Sequence, residues 1–166
     1  DDDPQLIFES LNSTGLDLSE ADKIRNYLFM SLSPTEQDDL YNRFWNPIEV
    51  FTKYDPSSFV RDYLTMKQGK IGRIDKIYFI FKEYAEGNNM ARADLLEDMH
   101  HYAKIYSQID NAKAGTDKLN QKLSQLRTLD STIAYPFFMA FFDYASKNDL
   151  PESEICRVID VIESYW

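Results

Sequence analysis

The sequence predicts an all-α fold, an irregular multi-helix bundle of about eight to nine helices with short connections. Three observations predict it. Apolar residues recur at every third or fourth position, as in Ala21-Ile24-Leu28 and Leu95-Leu96-Met99-Ala103-Tyr106, the spacing that puts them on one side of a helix. The period-2 alternation of half-buried strands is nowhere sustained. Only 5 Gly and 6 Pro punctuate the 166 residues, fewer turn markers than a sheet-rich chain needs. Hydrophobic residues make up 43% of the chain, enough to build a core and to exclude a disordered segment.

The elements follow in order from their caps. Asp3-Pro4 opens a first helix with the stripe Leu6, Ile7 and Leu11. Gly15 closes it, being free to take the left-handed conformation. Ser19, with Asp22 three residues on, forms a capping box for a second helix. Ser33-Pro34 caps a third, running through Leu40 and Phe44 toward Trp45, and Pro47 interrupts or restarts it. Asp55-Pro56 opens a fourth with Phe59, Val60, Tyr63 and Leu64 on its buried side. Gly69 and Gly72 bracket a short loop. Ile74 to Tyr84 is apolar and aromatic and ends in a turn at Gly87-Asn88-Asn89. A long helix covers Ala91 to Asn111. Gly115 separates it from Thr116 to Leu126. Asp130 or Ser131 caps Ile133 to Ser146, and Pro151 opens the last helix.

Charge narrows the function classes. The formal net charge is −10, with 18 Lys and Arg against 28 Asp and Glu. Nucleic acids are bound largely through Lys and Arg, so the chain taken alone is a poor DNA surface unless its cations cluster on one face. A single cysteine, Cys156, excludes an internal disulfide and fits a reducing, cytoplasmic setting. It sits beside Ile155, Val158 and Ile159, which reads as a buried inert thiol. No stretch is long enough to span a bilayer, so no membrane partner is expected. The chain starts at Asp1, and Glu152 to Trp166 reads as an amphipathic helix without a stop signal. Further polypeptide is therefore expected on both sides.

The most unusual local pattern is Phe8-Glu9-Ser10-Leu11-Asn12-Ser13-Thr14-Gly15, with Leu18-Ser19 and Asp22 beyond it. Phe8 and Asn12 are one turn apart and share a side. Phe8 can stack on a base and Asn12 can read its polar edge, while the amides around Gly15 and the next helix start can meet an anion. The plain alternative has Phe8 in the core, Asn12 and Gly15 as a helix C-cap and Ser19 as an N-cap.

The longer pattern, from Phe8-Glu9-x-Leu11-Asn12-x-x-Gly15 through Leu18-Ser19-x-x-Asp22 to Ile24-Arg25-Asn26-Tyr27-Leu28, resembles a large bacterial family. That family includes the GmrS part of GmrSD type IV restriction enzymes. Trp45, Ile77-Tyr78-x-x-Phe81-Lys82, Ala103-x-x-Tyr106 and Val161-Ile162-Glu163-Ser164-Tyr165 agree more loosely. The resemblance implies a parent with an N-terminal ParB/sulfiredoxin-like module carrying an Asp-Gly-Gln-Gln-Arg motif, and in many members a C-terminal HNH-type nuclease module. Neither motif occurs here. By resemblance, residues 1–30 are the end of the nucleotide-associated module. Residues 31–166 are then a helical domain truncated at its C-terminal end. Phe8, Asn12 and Gly15 would complete a nucleotide site whose other half lies before Asp1. The implied cofactors are an NTP and a divalent metal in the full-length protein, with none in this piece. The implied partners are other modules of the same polypeptide, and DNA through the whole protein rather than this acidic segment; an oligomer is compatible with the pattern.

Other candidates carry plainer readings. His100 and His101 point about 100° apart on a helix and cannot share a metal as an i, i+4 pair does, so they read as surface or part-buried side chains. Asp1-Asp2-Asp3, Asp38-Asp39 and Glu97-Asp98 read as solvated acidic faces. Asp22 and Arg25 read as a structural pair. No phosphate-binding or dinucleotide glycine motif is present. Two functions follow: an NTP-dependent DNA endonuclease of phage defence whose modules this segment links, the segment being inactive alone, or a non-catalytic helical module for a protein partner.

Overall fold

The computed structural model describes residues 18–128 and 131–164. The expected helix from Asp3-Pro4 to Leu11 lies outside them. Among the described residues every regular element is helical. The chain divides into two compact units, Asp1–His100 and His101–Trp166.

In the first unit, α1 (Glu20–Phe29) starts at the expected capping box. The Ser19 hydroxyl accepts from the Asp22 amide at 3.1 Å, and the Asp22 carboxylate accepts from the Ser19 amide at 3.3 Å. Ala21, Ile24 and Leu28 form its buried stripe. Its free C-terminal carbonyls are met from elsewhere: the Arg92 guanidinium donates to the carbonyls of Met30 and Leu28. The second capping box, Ser33 with Glu36, opens α2 (Pro34–Leu40). The chain then passes through a π-helical turn, Tyr41–Trp45, into α3 (Asn46–Phe51) without a break. Pro47 accounts for the turn. It lacks an N–H, and its ring crowds the carbonyl four residues back. The helix widens by one residue there instead of stopping, and the Asn46 amide donates to the Tyr41 carbonyl five residues back.

Asp55 caps α4 (Pro56–Gln68) through the Ser58 amide, and Gly69 closes it at φ 67°. A 3₁₀ turn, Ile74–Lys76, leads into α5 (Ile77–Asn88). Of the expected Gly87-Asn88-Asn89 turn, Gly87 and Asn88 lie inside the helix, and Asn89 at φ 49° ends it. Asparagine tolerates the left-handed region almost as glycine does. α1, α4 and α5 pack on one another. Trp45, Ile48, Phe59, Tyr63, Ile77, Phe81, Leu95 and Leu96 are each at most 1% exposed. Truncating any one of these aromatic rings to alanine would cost about 3–5 kcal/mol.

α6 (Arg92–Asp110) supplies residues to both units. In the second unit it is followed by α7 (Asp117–Thr128), a 3₁₀ turn (Ser131–Ala134), α8 (Tyr135–Lys147) and α9 (Glu152–Glu163). The expected start at Ile133 is corrected. The α-helix begins two residues later, because Pro136 suits its first turn, and Ile133 is 66% exposed. Tyr106, expected in the core, is only half-buried, edge-on to Tyr135. Tyr102, Ile105 and Ile109 take the buried positions. Leu119, Leu123 and Leu126 of α7 face α9, where Cys156 and Ile159 are buried. Lys122 pairs with Asp160 and the Thr116 hydroxyl donates to Glu152 between the same two helices. No helix among the described residues is long and apolar enough to cross a membrane.

Candidate functional site

Phe8, Asn12 and Gly15 lie outside the described residues. The described remainder of the same pattern, Leu18 to Leu28, is α1 and its cap. Its polar side chains converge on Glu49 of α3. Asp22 pairs with Arg25 at 3.0 Å, as the spacing predicts, and Arg25 reaches Glu49 at 3.4 Å. Glu49 also accepts from the Trp45 indole at 2.7 Å and from the Tyr41 hydroxyl at 3.1 Å.

The π-helical turn explains that convergence. Positions four apart drift by about 40° per step on a regular α-helix. One extra residue in the turn offsets the drift, so Tyr41, Trp45 and Glu49 line up. Burial, then the neighbouring Glu49 carboxylate, raises the Tyr41 phenol above its ordinary range. A small cleft of about 170 Å³ lies here, lined by Ser19, Ala21, Asp22, Trp45, Glu49, Tyr54 and Pro56. The Ala21 amide at its wall donates to the Ser57 hydroxyl at 3.1 Å, and Glu20 accepts from the Tyr78 amide at 2.9 Å. These bonds tie the start of α1 to α3, α4 and α5. Chemically they position a helix start.

A second polar centre belongs to the other unit and was not foreseen. Asp143 of α8 is 8% exposed. Its carboxylate meets His101 Nε2 at 2.8 Å, accepts from the Tyr102 hydroxyl at 3.0 Å and pairs with Lys147 at 2.8 Å. Burial alone would raise its pKa, but the bonds from Lys147, His101 and Tyr102 together outweigh burial and hold it below the usual carboxylate range. The adjoining cleft of about 460 Å³ has His101, Lys104, Gln108, Ser146 and Asp149 around Ile105, Phe142, Leu150 and Ile155. A buried carboxylate that orients a half-exposed imidazole is a competent acid–base arrangement. It equally fastens two helices. The sequence offered one signal for it: Asp143 interrupts the apolar run Phe137 to Tyr144.

Two further carboxylates depart from expectation. The sequence predicts Asp98 on a solvated face with Glu97. Instead it accepts from the fully buried Tyr63 hydroxyl at 2.5 Å and pairs with Lys67 at 2.7 Å. Burial, then Asp98, pushes the Tyr63 phenol well above its ordinary range. Asp62 is 4% exposed. Burial raises its carboxyl to about 6 despite the adjacent Arg61 guanidinium, which donates to it at 2.9 and 3.0 Å. The two adjacent histidines point apart, as their spacing requires. His100 lies against the rings of Phe44 and Phe51, and His101 against Asp143.

Among the described residues no three His, Cys, Asp or Glu side chains converge as a metal ion would require. No protein-family model, curated protein or solved structure matches the chain.

Proposed function

We propose that this chain is the helical part of a GmrS-like, NTP-dependent DNA endonuclease of cytoplasmic phage defence. It links a nucleotide module on its N-terminal side to a nuclease module on its C-terminal side and is inactive alone. The observation that carries the reading is the spaced pattern from Phe8 to Leu28. Its later positions have the burial such a motif would need: Ile24 and Leu28 are fully buried, and Ser19, Asp22 and Arg25 hold the helix start against Glu49. A relay between modules needs a stiff body, and the aromatic core around Trp45, Tyr63 and Phe81 supports that role. Phe8, Asn12 and Gly15 are assigned to the nucleotide. None of the described residues is assigned to a divalent metal.

The test uses the full-length protein, with Phe8→Ala plus Asn12→Ala as the variant and this segment as the negative control. NTP turnover and cleavage of modified phage DNA are both expected to drop in the variant. Unchanged turnover would remove the nucleotide assignment. An interaction module without catalysis is the second reading, and the exposed apolar side chains Ile71, Phe79, Phe137 and Tyr144 favour it. The flanking reading frame separates the two. An Asp-Gly-Gln-Gln-Arg motif before Asp1 supports the enzyme, and unrelated flanks support the module.

A further inference from the structure

We infer that the surface from Lys67 to Lys82, in the first unit, is a docking cleft for a protein partner that presents an acidic segment carrying large apolar side chains. This inference stands independently of the enzymatic reading.

The charge pattern is the first support. Residues 67–82 hold the cations Lys67, Lys70, Arg73, Lys76 and Lys82 against the single carboxylate Asp75. The local charge is +4 in a chain of −10. The basic positions repeat every third residue, and Phe79 fills the one place in the series where a cation is missing. The segment runs from the end of α4 through the loop closed by Gly69 and the 3₁₀ turn into α5. Lys67, Lys70, Arg73 and Lys76 are all exposed. Lys67 is held by Asp98 and Arg73 by Asp75, while Lys70 and Lys76 make no ion pair among the described residues.

The apolar surface is the second support. Ile71 is 73% exposed, Phe79 60% and Ile74 42%, which is costly unless something covers it. Ile71, Phe79 and the half-buried Ile80 line a cleft of about 450 Å³, together with the cations Arg73, Lys76 and Lys82 and the carboxylates Glu83 and Glu86. Gly72 also lines it: a Cβ at that position would lie 2.9 Å from Ile80 Cδ1 and 3.1 Å from Ile77 Cδ1, so a larger residue there would require these two side chains to shift.

The chemistry selects among anionic partners. A nucleic acid would use the cations and stack on Phe79, but the aliphatic side chains Ile71 and Ile74 offer it nothing. A lipid surface would take the aliphatic side chains but meets protruding groups, whereas Ile71 and Phe79 line a cleft. A peptide with acidic residues around a leucine or phenylalanine uses both features, placing the apolar side chain in the cleft and the carboxylates against the exposed cations Lys70 and Lys76.

The test measures binding of the whole 166-residue chain to a fluorescein-labelled peptide alternating Glu with Leu and Phe, by anisotropy. The comparison probes are a Glu/Ser peptide of equal charge, a single-stranded oligonucleotide of equal length, and vesicles containing phosphatidylserine. The Glu/Leu/Phe peptide is expected to bind at least about tenfold more tightly than the Glu/Ser peptide, with affinity falling as salt rises. Lys76→Glu plus Phe79→Ser, both on exposed positions, should weaken it by about tenfold or more with an unchanged circular dichroism spectrum. The inference is overturned if the peptide fails to bind at about 1 mM, if the double variant binds as well as the wild type, or if the oligonucleotide or the vesicles bind more tightly than the peptide.

Discussion

Replacing Asp62 with asparagine should stabilise this protein at neutral and alkaline pH, and the size of the gain follows from where the carboxyl sits. Asp62 lies on α4 beside Phe59, Val60 and Tyr63 and is 4% exposed. Among the described residues its charged neighbour in contact is Arg61, both of whose bonds fall on the same oxygen. Burial wins over that attraction, and the carboxyl is pushed from 3.8 to about 6.

A folded-state pKa above the unfolded value means that the fold prefers the protonated form. The stabilisation from protonation is fully present below the unfolded pKa and is lost as pH rises through about 6. At pH 8 the ionised group therefore costs the fold about 3 kcal/mol relative to its neutral form. Asparagine is neutral at every pH and keeps an oxygen for Arg61. The variant should exceed the wild type by about 2–3 kcal/mol at pH 8, and by about half as much at pH 5, where the native carboxyl is already largely protonated. Urea unfolding followed by far-ultraviolet circular dichroism at the two pH values measures both numbers, provided the urea slope is unchanged. An advantage that is the same at pH 5 and pH 8, or no advantage at all, refutes the reasoning.

The remaining predictions concern other placed groups. Asp143→Ala should cost about 2 kcal/mol, mostly from the lost bond of the buried Tyr102 hydroxyl to the carboxylate, since His101 and Lys147 can rehydrate. Because its native pKa is depressed, the Asp143 contribution is present above the unfolded carboxylate pKa and is lost as pH falls through the folded one. Acid titration of the wild type should show that loss, and titration of the variant should not. Tyr63→Phe should lose about 1 kcal/mol in chemical denaturation, as the ring stays packed and Asp98 keeps Lys67. A loss several times larger would mean that the ring itself has moved. Gly69→Ala should cost about 1 kcal/mol by thermal or urea unfolding for backbone reasons alone, because φ is 67° and a Cβ there meets nothing within 4 Å.

Local features could be read from the chain alone. The capping box at Ser19, the caps at Ser33 and Asp55, the Gly69 stop and the stripes Ile24-Leu28 and Leu95-Leu96-Met99 all stand where the chain places them. Each is settled within a few residues, by a side chain reaching an amide one turn away or by helical spacing. The Asp22–Arg25 pair was legible for the same reason. At Pro47 the sequence marked the place but not the outcome, because whether a helix breaks or widens depends on what the rest of the molecule buries against it. The carboxylates went furthest from expectation. Nothing near Asp98 in the chain announces Tyr63, and nothing near Asp143 announces His101 and Tyr102, which lie dozens of residues away. An acidic residue on a helix reads as solvated by default. Only the packing of one helix on another decides which carboxylates leave water, because the cost of burying a charge and the donors that offset it come from different parts of the chain.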